Sequence, residues 1–228
     1  MAEAKGQVGV LQASGVAAAS LADRAYHAIR EMIVSVELRP GAVIDERGLM
    51  ERLGIGRTPT REALRRLAQE RLVEVYPRRG MFVTSVEIRD LASLAEVRSA
   101  LESHAARLAA ERATEEDCSE LEALLVELGG RSELDVRELM ALDERIHRQV
   151  YGCAHNPFLE ATLEEYYVLA LRIWYLALDR APELEQAVLG HRELLEAIRD
   201  GDADRAEATM RRHVLDFEEV MRRVLTGS

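Results

Sequence analysis

The chain has 228 residues and a formal net charge of −11 at pH 7, and its hydrophobic content of 48% is ample for a core in one large domain or two smaller ones. No apolar stretch of about 18 residues is free of charge, and the N-terminus lacks the pattern of a secretory signal, so neither a membrane span nor secretion is expected. The two cysteines, Cys118 and Cys153, form no metal-binding motif, which indicates a reducing cytoplasm.

The charge is distributed unevenly along the chain. Residues 22–84 hold 12 Lys and Arg against 9 Asp and Glu, a net charge of +3, whereas residues 85–228 hold 17 against 31, a net charge of −14. A basic segment joined to an acidic one is typical of a nucleic-acid-binding domain attached to a domain of another kind. We expect DNA to repel the acidic part and so to help orient the molecule.

The N-terminal part of the chain predicts a short tail followed by three helices. Residues 1–20 are rich in small residues and show no periodicity, so we expect a disordered tail. The first two helices are expected over 22–36 and 46–53, where apolar residues recur at helical spacing. The third is expected from Thr58, whose hydroxyl would cap a helix that has Pro59 at its first position.

A basic hairpin follows these helices. Strand-like runs at 73–76 and 81–84 enclose a turn at 77–80, Pro-Arg-Arg-Gly. Helix, tight turn, helix and hairpin together predict a winged helix-turn-helix domain, which we assign to residues 21–84.

Polar and basic side chains lie where a winged helix contacts DNA. The second helix of the motif usually brings its N-terminal end to the base edges of the major groove, and Arg offers a bidentate donor fork to guanine or phosphate. The predicted DNA-contacting set is Arg47, Arg57, Thr58, Thr60, Arg61, Arg65, Arg78, Arg79 and Gly80. The alternative for Arg65 is an ordinary solvated position, but turn chemistry and charge placement agree for the set as a whole.

The segment Gly56–Leu67, GRTPTREALRRL, resembles the recognition-helix signature of the GntR family of bacterial transcription regulators. Pro40-Gly41 and Asp45-Glu46-Arg47 fit the upstream part of the same signature. The resemblance implies that operator DNA is contacted by the arginines Arg47, Arg57 and Arg61, and that the wing glycine Gly80 approaches the minor groove.

The chain departs from that family pattern at two positions. Gly56 stands where Ser is usual, so one phosphate-contacting hydroxyl is missing. Arg71 stands where Gly commonly ends the recognition helix. Both departures bear on operator preference or affinity rather than on the assignment.

Residues 85–228 predict an all-α bundle of six helices, which makes the whole chain mainly α. Capping and breaking residues place these helices over 87–112, 114–130, 136–152, 156–179, 181–200 and 203–225. No strand pattern occurs in this part of the sequence.

Four metal-binding residue types interrupt the apolar stripes of three of these helices. Asp143 and His147 are four apart on the third helix, so their side chains project from one face. His191 and His213 fall inside the stripes of the fifth and sixth helices. A single buried histidine is usually a satisfied core residue, but burying four such groups is costly unless they share a partner. One divalent ion would satisfy all four, and Zn, Ni and Mn suit the mixed nitrogen and oxygen set.

Residues 88–224 also resemble the FCD ligand-binding domain of one GntR branch. The spacing Asp143-x-x-x-His147, then His191 and His213, matches the metal-ligand pattern of that domain, and six helices match its shorter, VanR-like type. Val97-Arg98-x-x-Leu101-Glu102 and Asn156-Pro157-Phe158-Leu159 match two further signatures. The resemblance implies a homodimer that pairs through the first and fourth helices of the domain, and a small organic acid as effector.

Two arginines are candidates to bind that acid. Arg98 lies on the apolar stripe of the first helix of the bundle; it is either a surface Arg with a buried stem or an inward Arg that holds a carboxylate bidentately. Arg172 is a weaker candidate, as the only charge in residues 166–178. That run is too short to span a membrane, so it predicts a buried or subunit-contacting helix.

The sequence therefore predicts a metabolite-responsive DNA-binding regulator, most often a repressor in this family, whose dimer reads a short palindrome. The effector shifts the population of DNA-competent orientations. One alternative is a hydrolase-like metalloenzyme, in which the ion activates water, although no general base is placed by the sequence. Another is a regulator whose metal is purely structural.

Overall fold

The protein is described by a computed structural model that covers residues 20–85, 90–130, 135–177 and 184–226. Within these ranges two strands, β1 (Val73–Tyr76) and β2 (Gly80–Val83), accompany ten helices. The helices are α1 (Leu21–Val34), α2 (Glu46–Leu53), α3 (Arg57–Gln69), α4 (Leu91–Arg112), α5 (Glu115–Gly130), α6 (Val136–Cys153), α7 (Pro157–Ala177), α8 (Leu184–Leu189), α9 (His191–Arg199) and α10 (Ala203–Thr226). Of the predicted tail, only Ser20 falls within the described residues.

The N-terminal domain is the predicted winged helix-turn-helix. Helix α1 begins with a reciprocal cap between Ser20 and Asp23, and its buried face, with Ile29 and Ile33, packs against α3. Strands β1 and β2 pair antiparallel, with Val73 opposite Val83. The fold class expected from the sequence is confirmed.

The start of α3 lies two residues earlier than predicted. Gly56, not Thr58, is the N-cap, and no side chain accepts a hydrogen bond from the first turn. Pro59 is consequently the third residue of the helix. It is tolerated there because the first four N–H groups of a helix have no intrahelical partner.

The C-terminal domain is a helical bundle built around α4. This helix packs against α6, α7, α9 and α10, and it buries small residues such as Ala105 and Ala106. The predicted fifth helix is divided at Gly190 into α8 and α9, so seven helical segments follow the wing within the described ranges. Glycine has a low helix propensity, and the break places His191 at the first position of α9.

No helix among the described residues combines the length and the apolar composition that crossing a bilayer requires.

Candidate metal centre and DNA interface

The outward face of α3 presents the predicted base-reading side chains. Arg57, Thr58 and Arg65 are exposed. Arg61 is partly exposed, and its Nε lies 2.7 Å from Oε2 of Glu46 on α2, so DNA contact by Arg61 requires this ion pair to exchange for a base or phosphate. The geometry leaves the N-terminal end of α3 accessible to a major groove.

The remaining predicted contacts flank this helix. Arg47, at the start of α2, is exposed and pairs with Glu51 at 2.9 Å. At the hairpin tip, Arg78 and Arg79 are exposed, and Arg78 and Gly80 both have positive φ, +65° and +102°. A glycine at such a φ carries no steric penalty, and its missing side chain lets backbone approach a groove closely.

Thr60 is a correction to the predicted DNA-contacting set. Its side chain is 1% exposed, and its hydroxyl donates to the carbonyl of Gly56 at 3.0 Å. Thr60 therefore belongs to the core of the N-terminal domain. Successive positions of an α-helix are rotated by about 100°. Thr60 therefore faces inward although Arg61, the next residue, is partly exposed.

The four predicted metal-binding residues converge on one point in the C-terminal domain. One ligand atom from each of Asp143, His147, His191 and His213 lies within 4.8 Å of all the others. Nε2 of His147 is 3.2 Å from Nε2 of His191 and 3.3 Å from Nε2 of His213. Asp143, His147 and His191 are buried, whereas His213 is partly exposed.

The far nitrogens of two of these rings lie next to oxygen atoms of other groups. Nδ1 of His191 lies 3.0 Å from the carbonyl of Val188, and Nδ1 of His147 lies 3.0 Å from Oε2 of Glu102. An acceptor beside Nδ1 favours the tautomer that is protonated there, which leaves the lone pair of Nε2 facing the centre of the cluster.

The cluster fits a cation better than it fits a set of mutually satisfied core residues. With protons on Nδ1, His147 and His191 turn two lone pairs toward each other, and Oδ1 of Asp143 is buried with no hydrogen-bond partner among the described residues. Burial lowers the pKa of His191 to about 4, and it also lowers the pKa of His213 well below its ordinary value, so both rings are neutral at neutral pH. Neutral imidazoles and a carboxylate are a donor set for a divalent transition metal.

Arg98 lies beside this cluster and is buried rather than snorkelling. Its Nε donates to Oε1 of Glu102 at 2.5 Å, and among the described residues its two terminal nitrogens make no hydrogen bond. Together with Asp143, His147 and Tyr167 it lines a small space of about 10 Å³ between α4, α6, α7 and α10. A terminal guanidinium edge without a partner can accept a carboxylate.

A larger pocket adjoins that small space. Its volume is about 380 Å³, and it lies between α7, α9 and α10. Trp174, His213 and Phe217 line both spaces, so the pocket reaches the cluster through His213. Its size suits a small metabolite.

Arg172 lies away from the cluster. It is fully buried, and its Nη2 donates to the carbonyl of Thr84 at the end of the wing. It lines neither the small space nor the adjoining pocket. Its placement therefore gives no support to the weaker prediction that it contacts the effector.

Sequence reasoning gave no role to three residues that contact the cluster. Glu102 lies behind His147, the hydroxyl of Tyr151 is 3.2 Å from Nδ1 of that ring, and the hydroxyl of Tyr167 donates to Oδ2 of Asp143 at 2.7 Å. Glu102 is signalled in the sequence, because it lies four residues after Arg98 on an apolar helix face, where the two side chains can pair. Nothing in the sequence signals Tyr167, because its partner lies on another helix.

Two family models match the chain and together span both domains. Residues 21–83 match the model of bacterial regulatory proteins of the gntR family, and residues 93–216 match the FCD domain.

Individual relatives extend over most of the chain. The chain is 27% identical over 202 residues to the HTH-type transcriptional repressor RspR of Escherichia coli, and the match covers 87% of this chain and 88% of the relative. It is 31% identical over 171 residues to the HTH-type transcriptional regulator McbR of Escherichia coli, covering 73% and 77%. The solved structure of E. coli McbR/YncC has the same fold, with a TM-score of 0.78 at 24% identity over 90% of this chain and 98% of that one.

Proposed function

Because the chain belongs to the GntR family of bacterial transcription regulators and carries an FCD domain, we propose that its operator binding responds to a small organic acid held beside a divalent metal ion. Family membership makes it a DNA-binding transcription regulator and not an enzyme, which removes the hydrolase alternative. Repression is the proposed mode, since RspR is a transcriptional repressor.

The proposal is carried by the convergence of Asp143, His147, His191 and His213 on one point, within 4.8 Å of one another. These residues would hold the ion, and Zn, Ni and Mn are the candidates. A bound divalent ion offers open coordination positions to a carboxylate ligand. The chain itself orients the imidazoles through Glu102 and the Val188 carbonyl.

Recognition of the acid is assigned to Arg98. Its terminal nitrogens are free of hydrogen bonds within the described part of the chain, and Glu102 fixes the guanidinium through Nε. An Arg held in this way can bind a carboxylate with a bidentate fork at little entropic cost. The acid would reach it through the pocket that Trp174 and His213 line.

The DNA-reading surface is assigned to Arg47, Arg57, Thr58, Arg61, Arg65, Arg78, Arg79 and Gly80. A symmetric homodimer would place two such surfaces on a palindromic operator in the cytoplasm. Large apolar side chains exposed on α4 and α7, Val97 and Phe158, support pairing through these two helices.

The test is selection of genomic fragments by purified protein, followed by fluorescence anisotropy on the selected site. We expect a palindromic site whose affinity falls steeply with salt, and an affinity that changes when a candidate acid is added to metal-loaded protein but not to chelator-treated protein. An acid response that survives complete removal of the metal would contradict the proposed effector site. Loss of melting temperature without any change in DNA binding on chelation would identify the metal as purely structural.

A further inference from the structure

Helix α7 faces the metal cluster with one side and the N-terminal domain with the adjacent side. Tyr167, Leu171 and Trp174 line the small space next to the cluster. Glu164 and Arg172, eight residues apart and therefore on one stripe, reach the N-terminal domain. Helix α1 packs against α7 at this junction.

Glu164 forms an ion pair across the junction. Its Oε1 lies 2.6 Å from Nη2 of Arg30 on α1 and 2.5 Å from Nη2 of Arg148 on α6. The side chains of Arg30 and Glu164 are 16% and 31% exposed, so solvent and salt screen this pair less than they screen a surface pair.

Arg172 fastens the end of the wing to the same helix. Its Nη2 donates to the carbonyl of Thr84, while its Nε and Nη1 are buried without a hydrogen-bond partner among the described residues. Thr84 in turn donates its hydroxyl to the carbonyl of Arg71 and its N–H to the carbonyl of Leu72, so it is tied to the end of α3.

Stability does not account for Arg172. Burial lowers the pKa of its guanidinium to about 10, so the group remains charged at neutral pH, and no carboxylate of the described residues forms an ion pair with it. An unpaired buried charge costs free energy, and an apolar side chain of similar length would remove that cost. Within the described part of the chain its one hydrogen bond, to the carbonyl of Thr84, joins the two domains.

The junction is otherwise loosely packed. A cleft of about 500 Å³ lies beside Glu164, lined by residues of both domains such as Tyr26, Leu72 and Val168. Few contacts between the described residues therefore set the angle between the domains, and interfaces of this kind permit relative motion unless specific contacts fix it. The exposed end of α3 remains clear of α7 in this orientation.

We propose that Glu164 and Arg172 are positioning residues that hold the DNA-binding domain in one orientation on α7, ready for a two-half-site operator. Fixing the domain before binding lowers the entropy that must be lost when two recognition helices engage DNA together. The expected effect on DNA binding rests on the proposed function. The docking of the N-terminal domain on α7 rests on the junction geometry alone.

The test compares Arg172→Met and Glu164→Gln with wild type in the full chain. The matched control is Arg145→Met on α6, which removes an ion pair to Glu127 on α5, within the C-terminal domain and away from the junction. Hydrogen exchange of peptides from α1 and α7 reports docking. Anisotropy on the selected operator and on a single half-site reports its consequence for DNA binding.

We expect both variants to exchange faster in α1 and α7, and to bind the operator about threefold to tenfold more weakly with half-site affinity unchanged. Arg172→Met should leave the melting temperature unchanged or higher. A merely structural role for Arg172 would instead predict a lower melting temperature. Unchanged exchange in both variants would overturn the proposed docking. An equal loss on operator and half-site would overturn the orienting role. Wild-type protein that selects no DNA would instead refute the proposed function, and hydrogen exchange would still decide the docking.

Discussion

At the scale of single residues, helical periodicity was enough to find the cluster but not its surroundings. Asp143 and His147 share a face because they are four apart, and their stripe must face the core. Glu102 and Tyr167 contact the cluster from α4 and α7, so their roles depend on how helices pack, which periodicity does not encode. The assignment of the four residues as metal ligands stays a prediction.

Arg71 is the residue whose replacement should stabilise the protein. It has φ +59° directly after Glu70, the C-cap of α3, and the N–H of Leu72 bonds to the carbonyl of Leu67 in a Schellman arrangement. A left-handed conformation costs a non-glycine residue about 1–2 kcal/mol, partly offset by the greater unfolded-state entropy of glycine. We expect Arg71→Gly to raise the free energy of unfolding by roughly 0.5–1 kcal/mol.

Urea denaturation measures this effect. The control is Arg65→Gly, at an exposed position inside α3, which should lower the free energy of unfolding by about 1 kcal/mol. Equal destabilisation by the two substitutions would show that backbone strain at Arg71 is absent.

Arg98 is best tested by a substitution that keeps its charge. Arg98→Ala would strand the buried carboxylate of Glu102, a loss of about 3–5 kcal/mol that would confuse folding with binding. Arg98→Lys retains a cation for Glu102 but loses the planar fork. We expect unchanged metal content in elemental analysis and at least about a tenfold weaker acid response in anisotropy. A wild-type response in Arg98→Lys would remove Arg98 from the effector site.

At the scale of elements, the sequence placed most of the helices and both strands but misjudged some boundaries. Thr58-Pro59 was a strong start signal, yet α3 begins at Arg57 because Gly56 adopts the extended N-cap conformation without a side-chain cap. The break at Gly190 was hidden because the apolar stripe runs through it on both sides. Residue types alone therefore do not determine where α3 starts or where the predicted fifth helix breaks, and the backbone conformation at Gly56 and Gly190 does.

The two basic elements should contribute differently to DNA binding. Arg61 lies on α3, where it can reach base edges, so Arg61→Ala should cost about 1–3 kcal/mol at its base pair and relax specificity there. Arg78, at the wing tip, should contact backbone, so Arg78→Ala should weaken operator and random DNA alike. Competition anisotropy with both DNAs separates these outcomes. If Arg61→Ala leaves the ratio of operator affinity to random-DNA affinity unchanged, Arg61 does not read a base. This conclusion holds even if losing the ion pair between Arg61 and Glu46 changes both affinities.

At the scale of the whole molecule, the uneven distribution of charge along the sequence predicts the division into two domains. The basic segment became a separate domain, and the acidic remainder became the bundle with the cluster. The junction between them could not be predicted, because the partners of Arg30, Glu164 and Arg172 across the junction lie far away in sequence.

The intact chain should be a homodimer. Light scattering should give twice the chain mass at micromolar concentration, because one winged helix alone offers few phosphate contacts. Val97→Glu, on the exposed face of α4, should shift the protein toward monomer, whereas Val126→Glu, on the exposed face of α5, should not. A monomeric wild-type protein would rule out the proposed reading of a palindrome by two linked domains.

The most direct test of the account is the metal content of protein purified without added metal or chelator, measured by elemental analysis alongside His191→Ala. The account predicts about one divalent ion per wild-type chain, and both less metal and a lower melting temperature in the variant, because its remaining inward polar groups lose their shared partner. A wild-type stoichiometry near zero, unchanged after incubation with Zn, Ni and Mn in turn, would mean that Asp143 and the three histidines only satisfy one another in the core.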